Sequence, residues 1–185
     1  MPYFVMTCKG VFPSAVIDRG PEMDDAPWND GAAIDQNFDV PLTYTLKPKA
    51  GNLKAMYEAL AYPLMSDALI AALRTSGVDN LQLFDARIED PRTGEVHTNY
   101  KAFNVVGVVA AADMMKSVLM GTSDSQMIDV DFESLAIDES KAAPFLMFRL
   151  AESVSAIIVS EAVRREIERH KIPGMNFYEP SDWSG

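Results

Sequence analysis

The feature that most constrains the fold of this chain is a pair of similar segments that lie 94 residues apart. Residues 63–85 and 157–179 align without a gap, and Ser66 matches Ser160 where each helical pattern begins. In both segments a short apolar stretch ends at the serine, whose hydroxyl can accept a hydrogen bond from the first helical turn. About ten residues with helical spacing then lead through a glycine-containing turn to a second strand. We therefore predict two strand–helix–strand units, and the alternative is chance similarity between two ordinary stretches.

The residues around these two units have the patterns of β-strands. Residues 3–9 alternate, which places Phe4, Met6 and Cys8 on one apolar face and predicts a strand with a buried thiol. Residues 81–110 predict a long hairpin, because the sequence Asp-Pro-Arg-Thr-Gly at 90–94 has the composition of a tight turn.

Three segments have helical spacing: residues 53–61, with Asn52 as a cap, and the repeated stretches 66–76 and 160–170. We therefore predict an α+β fold, in which residues 1–185 form a single domain with a mixed or antiparallel sheet and about three helices. The tail, residues 180–185, is expected to fray unless Trp183 packs against the body of the protein.

An acidic loop is predicted at residues 18–41, where three prolines and two glycines interrupt any helical pattern. Its candidate partner-binding residues combine negative charge with one large aromatic ring: Asp24, Asp25, Trp28, Asp30 and Asp35. Such a loop can attract a basic protein electrostatically and anchor it through the tryptophan. The alternative is a solubilising loop whose Trp28 folds back onto the core.

Charge and cysteine content limit the classes of partner and the compartment. The chain has 27 acidic and 16 basic residues, for a net charge of −11, which argues against general binding to nucleic acid or anionic lipid. Its apolar stretches are shorter than the roughly 18 residues of a membrane-spanning helix, and its first residues lack the pattern of a secretory signal. The single cysteine, Cys8, excludes an internal disulfide. We therefore expect a cytoplasmic protein.

Two groups of residues offer weak candidates for catalysis. Asp129, Asp131 and Glu133 alternate with apolar residues, so their carboxylates could hold a hard cation on one face of a strand. A solvated strand face explains the same pattern, with the change of parity at Ser134 indicating a bulge. Cys8 and His97 could form a nucleophile pair only if the thiol were exposed. We therefore predict no cofactor and no catalytic site, with a metal-assisted hydrolase as the alternative.

The last third of the chain resembles the end of a bacterial protein family. The stretches concerned are Phe148–Glu152, Ala156–Glu161 and, after a helical segment, Ile172–Phe177. They are similar to an immunity protein family of polymorphic toxin systems, named for a myxobacterial member. Weaker similarity extends upstream through the first repeated unit to the acidic loop, and the shared elements are mainly structural.

The resemblance implies a single-domain cytoplasmic protein that binds a cognate toxin and blocks it. No binding residue of the family is carried over to this sequence. The charge of −11 suggests that the toxin is basic. A protein-binding module unrelated to toxins is a further alternative.

Overall fold

The computed structural model describes residues 1–21, 28, 30–38, 40–59, 61–120 and 130–185. In chain order its strands are β1 (Tyr3–Cys8), β2 (Ile17–Arg19), β3 (Leu42–Leu46), β4 (Met56–Tyr57), β5 (Leu64–Ser66), β6 (Leu81–Asp90), β7 (Glu95–Val105), β8 (Val108–Val109), β9 (Val118–Leu119), β10 (Phe132–Ser134), β11 (Met147–Leu150), β12 (Ser153–Ser160) and β13 (Met175–Tyr178). Its α-helices are α1 (Asp67–Thr75), α2 (Glu139–Ala142) and α3 (Glu161–Arg169). The predicted α+β class is confirmed. Within this part of the chain, no helix is both long enough and apolar enough to cross a membrane.

The strands form two main sheets and one small one in the described part of the chain. The larger sheet has the order β2-β3-β6-β7-β5-β4, and the second has the order β13-β1-β12-β11-β8. Strands β9 and β10 form a separate antiparallel pair. Most pairings are antiparallel, but β3 runs parallel to β6 and β8 runs parallel to β11.

The two repeated segments have the same topology. β5 and β6 both pair antiparallel with β7, which lies between them, and α1 connects them. β12 and β13 both pair antiparallel with β1, and α3 connects them. The two predicted strand–helix–strand units are therefore confirmed, and each unit has a third strand inserted between its own two.

The two units pack together around one central core. Helices α1 and α3 contact each other there and bury Leu69, Leu73, Val163 and Ile167, which are the apolar positions of each helical pattern. Alternating side chains of both sheets complete the core, and the buried thiol of Cys8 belongs to it, as predicted. The opposite face of each sheet is also covered, because β1 directs Tyr3 and Val5 into a second cluster and β5 directs Leu64 into a third.

The predicted helix at 53–61 is wrong. Met56 and Tyr57 form β4, which pairs with β5, and both side chains are buried. As neighbours in a strand they point to opposite faces of the sheet. Met56 packs in the central core, and Tyr57 packs in the cluster on the outer face of the larger sheet. Pairing with β5, the next strand along the chain, therefore overrides the helical pattern.

The predicted hairpin is confirmed for β6 and β7 but ends earlier than expected. Gly107 has φ = +98°, and after it Val108 and Val109 leave the hairpin to pair with β11 of the second sheet. Val108 is exposed there. Gly107 therefore marks the point where the chain passes from one sheet to the other.

The C-terminal tail packs against the strand pair β9–β10. Gly185 exchanges two backbone hydrogen bonds with Phe132, and the ring centroid of Trp183 lies 6.4 Å from that of Phe132. The packing of the indole, which was the condition for an ordered tail, is therefore present.

Candidate functional site

The acidic loop predicted at residues 18–41 is called the acidic segment below. Its described part lies across the outer face of the larger sheet, where polar side chains of β6 and β7 hold it. The Gln82 side chain forms two hydrogen bonds with the Ile34 backbone, accepting at 2.7 Å and donating at 3.2 Å. The buried Asn104 amide donates to the Ala32 carbonyl at 2.8 Å and to Gln82 Oε1 at 3.0 Å. Gly107 N–H also donates to the Gly31 carbonyl at 2.7 Å. The backbone of residues 31–34 is therefore fixed on the sheet.

Trp28 holds the same segment through apolar packing. Its side chain is 1% exposed, and its ring lies 5.7 Å from that of Phe84 in an edge-to-face arrangement. The ring centroid of Phe38 also lies 5.2 Å from that of Phe84. The expectation that Trp28 anchors a partner does not fit this placement. The observed position matches the alternative, in which the indole folds back onto the core.

The acidic side chains differ from Trp28 because they face solvent. Asp30 and Asp35 are exposed, and Asp30 Oδ1 accepts a hydrogen bond of 2.9 Å from the Ala32 N–H. Asp24 and Asp25 lie outside the described residues. The two described aspartates thus project from a backbone that the sheet holds in place.

A second surface, which the sequence analysis did not identify, is formed by the loop between β1 and β2. Phe12 is 93% exposed, and its neighbours Val11 and Val16 are half exposed. We refer to Val11, Phe12 and Val16 as the Phe12 surface. The sequence signal was weak, since a lone aromatic residue before a proline is also common in ordinary turns.

The loop that carries Phe12 is held by hydrogen bonds on both sides of the ring. Ser14 Oγ donates to the Lys9 and Val11 carbonyls at 3.1 and 3.2 Å. The Asn52 side-chain amide donates to the Val11 and Pro13 carbonyls at 3.3 and 3.2 Å. Asn52 also exchanges backbone hydrogen bonds with Pro13 and Ala15. The exposed ring is therefore presented on a fixed backbone.

An apolar pocket adjoins the Phe12 surface. Val16 lines it together with Ile17, Tyr57 and Tyr62, and its volume is about 380 Å³. Glu58 lies at its edge, where its Oε2 accepts the Cys8 N–H at 3.2 Å. Burial raises the pKa of the Glu58 carboxyl, and the hydrogen bond from Cys8 and the charge of Lys54 partly offset that rise. The pocket is thus large enough for one side chain of a partner.

A comparison with protein families assigns the chain. The model of the Immunity protein family (Imm11) matches residues 10–182, which is nearly the whole sequence. The chain belongs to this family. No curated protein matches it. Membership confirms the resemblance identified in the C-terminal third.

The Imm11 assignment supports a protein that neutralises a toxin, a role that requires binding.

The candidate residues Cys8 and His97 lie in different sheets. Cys8 is 1% exposed in the central core, whereas His97 lies opposite Ile88 near the 91–94 turn. The structure therefore does not bring the two side chains together as a nucleophile pair.

The three carboxylates of the alternative metal site are only partly described. Asp131 and Glu133 are exposed next to and within β10, and Asp129 lies outside the described residues. The predicted bulge in this strand is confirmed, since the pairing with β9 shifts register between Phe132 and Ser134. Among the described residues, no three His, Cys, Asp or Glu side chains are grouped so that they could hold a metal ion.

Arg149, which lies within the C-terminal resemblance, is buried in β11. Its guanidinium donates to the Val154 carbonyl at 2.7 Å, and burial lowers its pKa to about 10. Its Nε has no hydrogen-bond partner among the described residues. Since the side chain is 1% exposed, it cannot contact a partner in this conformation.

Proposed function

We propose that this Imm11 protein is a non-catalytic immunity protein of a polymorphic toxin system, acting in the cytoplasm by binding its cognate toxin. The observation that carries this proposal is the family match over residues 10–182. Inhibition by surface complementarity needs a stable body and a preformed surface, and it needs neither a nucleophile nor a cofactor. The partner is a protein, and the negative net charge disfavours nucleic acid and anionic membranes.

We propose the acidic segment as one contact surface for the toxin. Its candidate residues are Asp24, Asp25, Asp30 and Asp35, with Trp28 positioning the segment from within the core. Fixed carboxylates that face solvent can speed association with a basic surface and fix the orientation of the complex. The net charge of −11 supports a basic toxin.

The first experiment tests neutralisation. The cognate toxin, which is sought among the neighbouring genes, is expressed in a bacterial host with and without the immunity protein, and survival is measured. We expect cells that express the toxin to survive only when the immunity protein is also expressed. We also expect the two purified proteins to form a complex. If the purified proteins do not bind, or if the immunity protein chemically alters the toxin, the proposed function is rejected.

The second experiment tests the acidic surface with the double variant Asp30→Asn/Asp35→Asn. Asparagine at 30 can still accept the Ala32 N–H, so the variant removes charge and preserves the turn. We expect binding to be about threefold to tenfold weaker at low salt, with most of the loss in the association rate. The measurement is surface plasmon resonance at several salt concentrations.

The matched control removes two exposed carboxylates elsewhere, one beside the β6–β7 turn and one on β10, in the variant Glu95→Gln/Glu133→Gln. It makes the net charge less negative by the same two units, so we expect a much smaller effect on binding. Equal losses for both variants would show that total charge matters and the acidic segment does not. Binding that is independent of salt for all proteins would contradict electrostatic recognition altogether.

A further inference from the structure

The packing of the fold does not explain why Phe12 is exposed. A phenylalanine that is 93% exposed contributes little to folding, because most of its apolar area stays in water. Its loop is nevertheless tightly fixed. Gly10 N–H donates to the Gly174 carbonyl at 3.3 Å, and a Cβ on Gly174 would collide with the backbone of Gly10. An exposed aromatic ring on a fixed backbone is typical of an interface hot spot, because the loop loses little entropy when the ring is buried.

The charge around the Phe12 surface is opposite to that of the acidic segment. Residues 47–54 run beside the loop, since Lys47 N–H donates to the Val16 carbonyl at 2.9 Å and Ser14 bridges to Asn52. This stretch carries Lys47, Lys49 and Lys54, and Lys9 approaches from β1. Neither Lys47 nor Lys49 forms an ion pair with any residue that the structure describes. In a chain with an excess of acidic residues, this is a local basic border around an apolar centre.

The other two lysines lie over aromatic rings. Lys54 Nζ is 6.0 Å from the ring centroid of Tyr57, and Lys9 Nζ is 5.4 Å from that of Tyr178. Glu58 lies close enough to Lys54 for their charges to interact. Lys54 also lines the pocket beside the Phe12 surface, so its side chain lies at the edge of the apolar centre.

We infer that the Phe12 surface is a second docking surface for the toxin, and that it fits an apolar cavity bordered by carboxylates. Phe12 enters that cavity, the neighbouring pocket receives an apolar side chain in return, and the lysines pair with the acidic border. A second copy of this chain is a poorer occupant, because a symmetric dimer would bring the two sets of lysines together. The inference rests on the proposed function, since it names a further surface for the same partner.

Two surfaces of opposite charge would fix the orientation of the toxin. The acidic segment begins at Asp18, directly after Ile17, which lines the pocket beside the Phe12 surface. A toxin docked the wrong way would place like charges together at both surfaces.

The test uses the protein with all 185 residues and its purified cognate toxin. Phe12→Ala should weaken binding at least tenfold, mainly by faster dissociation, and should leave the urea midpoint of unfolding unchanged because the ring is exposed. Lys47→Glu/Lys49→Glu should lower the association rate about tenfold at low salt, and this difference should shrink as salt is added.

Met115→Ala is the matched control, because Met115 is 94% exposed and lies in a different turn, beyond β8. We expect it to bind as the wild type does. An equal loss for Met115→Ala and Phe12→Ala would overturn the inference, since apolar exposure in general would then explain the effect. Phe12→Ala that binds with wild-type affinity would also overturn it and leave the proposed function intact.

Sedimentation velocity separates the remaining outcomes. Wild-type protein should sediment as the same species as Phe12→Ala. Self-association that Phe12→Ala abolishes while toxin binding stays unchanged would assign the surface to a second copy and reject the inference. Failure of the wild type to bind the toxin rejects the proposed function, and the inference falls with it.

Discussion

Ser66 and Ser160 occupy equivalent positions before α1 and α3, yet their hydroxyls have different surroundings. Ser66 Oγ accepts the Leu69 N–H at 3.3 Å, as the sequence predicts. The predicted cap at Ser160 is wrong, because its hydroxyl is buried and has no hydrogen-bond partner among the described residues. The reason is tertiary, since Ser160 is the last residue of β12 and is enclosed by the packing around it.

The two serines therefore respond differently to the same substitution. Ser66→Ala removes a helix cap and should lower the free energy of unfolding by about 1 kcal/mol. Ser160→Ala removes a buried hydroxyl without a partner, so it should change the free energy by less than about 0.5 kcal/mol or raise it. Urea unfolding of both variants and the wild type measures the difference. Equal destabilisation by the two substitutions would contradict the different roles of the hydroxyls.

At the scale of elements, the attachment of residues 31–34 to the larger sheet depends on two side chains from neighbouring strands. Gln82 on β6 binds the Ile34 backbone, and Asn104 on β7 binds both Ala32 and Gln82. Gln82 and Asn104 are register partners in the β6–β7 ladder, so the hairpin provides a rigid base for these amides.

The variant Gln82→Ala should release this segment without unfolding the sheet. It removes both hydrogen bonds to Ile34 and one to Asn104, and buried hydrogen bonds of this kind contribute about 1 kcal/mol each. We expect the Ile34 amide to exchange with solvent at least tenfold faster, while amides of β7 keep their protection. Hydrogen–deuterium exchange measures this, and Gln36→Ala, at an exposed glutamine, is the matched control. Unchanged exchange at Ile34 would show that the packing of Trp28 and the hydrogen bonds to Gly31 and Ala32 hold the segment without Gln82.

At the scale of the whole molecule, the question is whether the protein acts by binding or by catalysis. A metal ion that binds only the folded state raises the melting temperature in proportion to its occupancy. Because Asp131 and Glu133 are exposed, we expect millimolar Mg²⁺, Mn²⁺ or Ca²⁺ to leave the melting temperature unchanged, as measured by calorimetry. A rise that Asp131→Asn/Glu133→Gln abolishes would instead favour the metal-assisted hydrolase.

The sequence predicts those parts of the fold whose signals are local. The two repeated units, the strand at the N-terminus and the β6–β7 hairpin follow from alternation, helical spacing and turn residues a few positions apart. The same local information misassigns Met56 and Tyr57. The apolar residues around them have helical spacing, but these two side chains belong to clusters on opposite faces of a sheet. For the candidate site, composition identifies the acidic segment but cannot tell an exposed tryptophan from a buried one.

The sequence by itself therefore determines the α+β class, the repeated units and the excess of negative charge, since these depend on residue types and short spacings. Only the tertiary structure places Trp28 against Phe84, leaves Ser160 without its helix cap and exposes Phe12 beside a row of lysines. Each of these depends on contacts between residues far apart in the chain. Such contacts form only when distant segments pack against each other in the folded chain, so no local pattern encodes them.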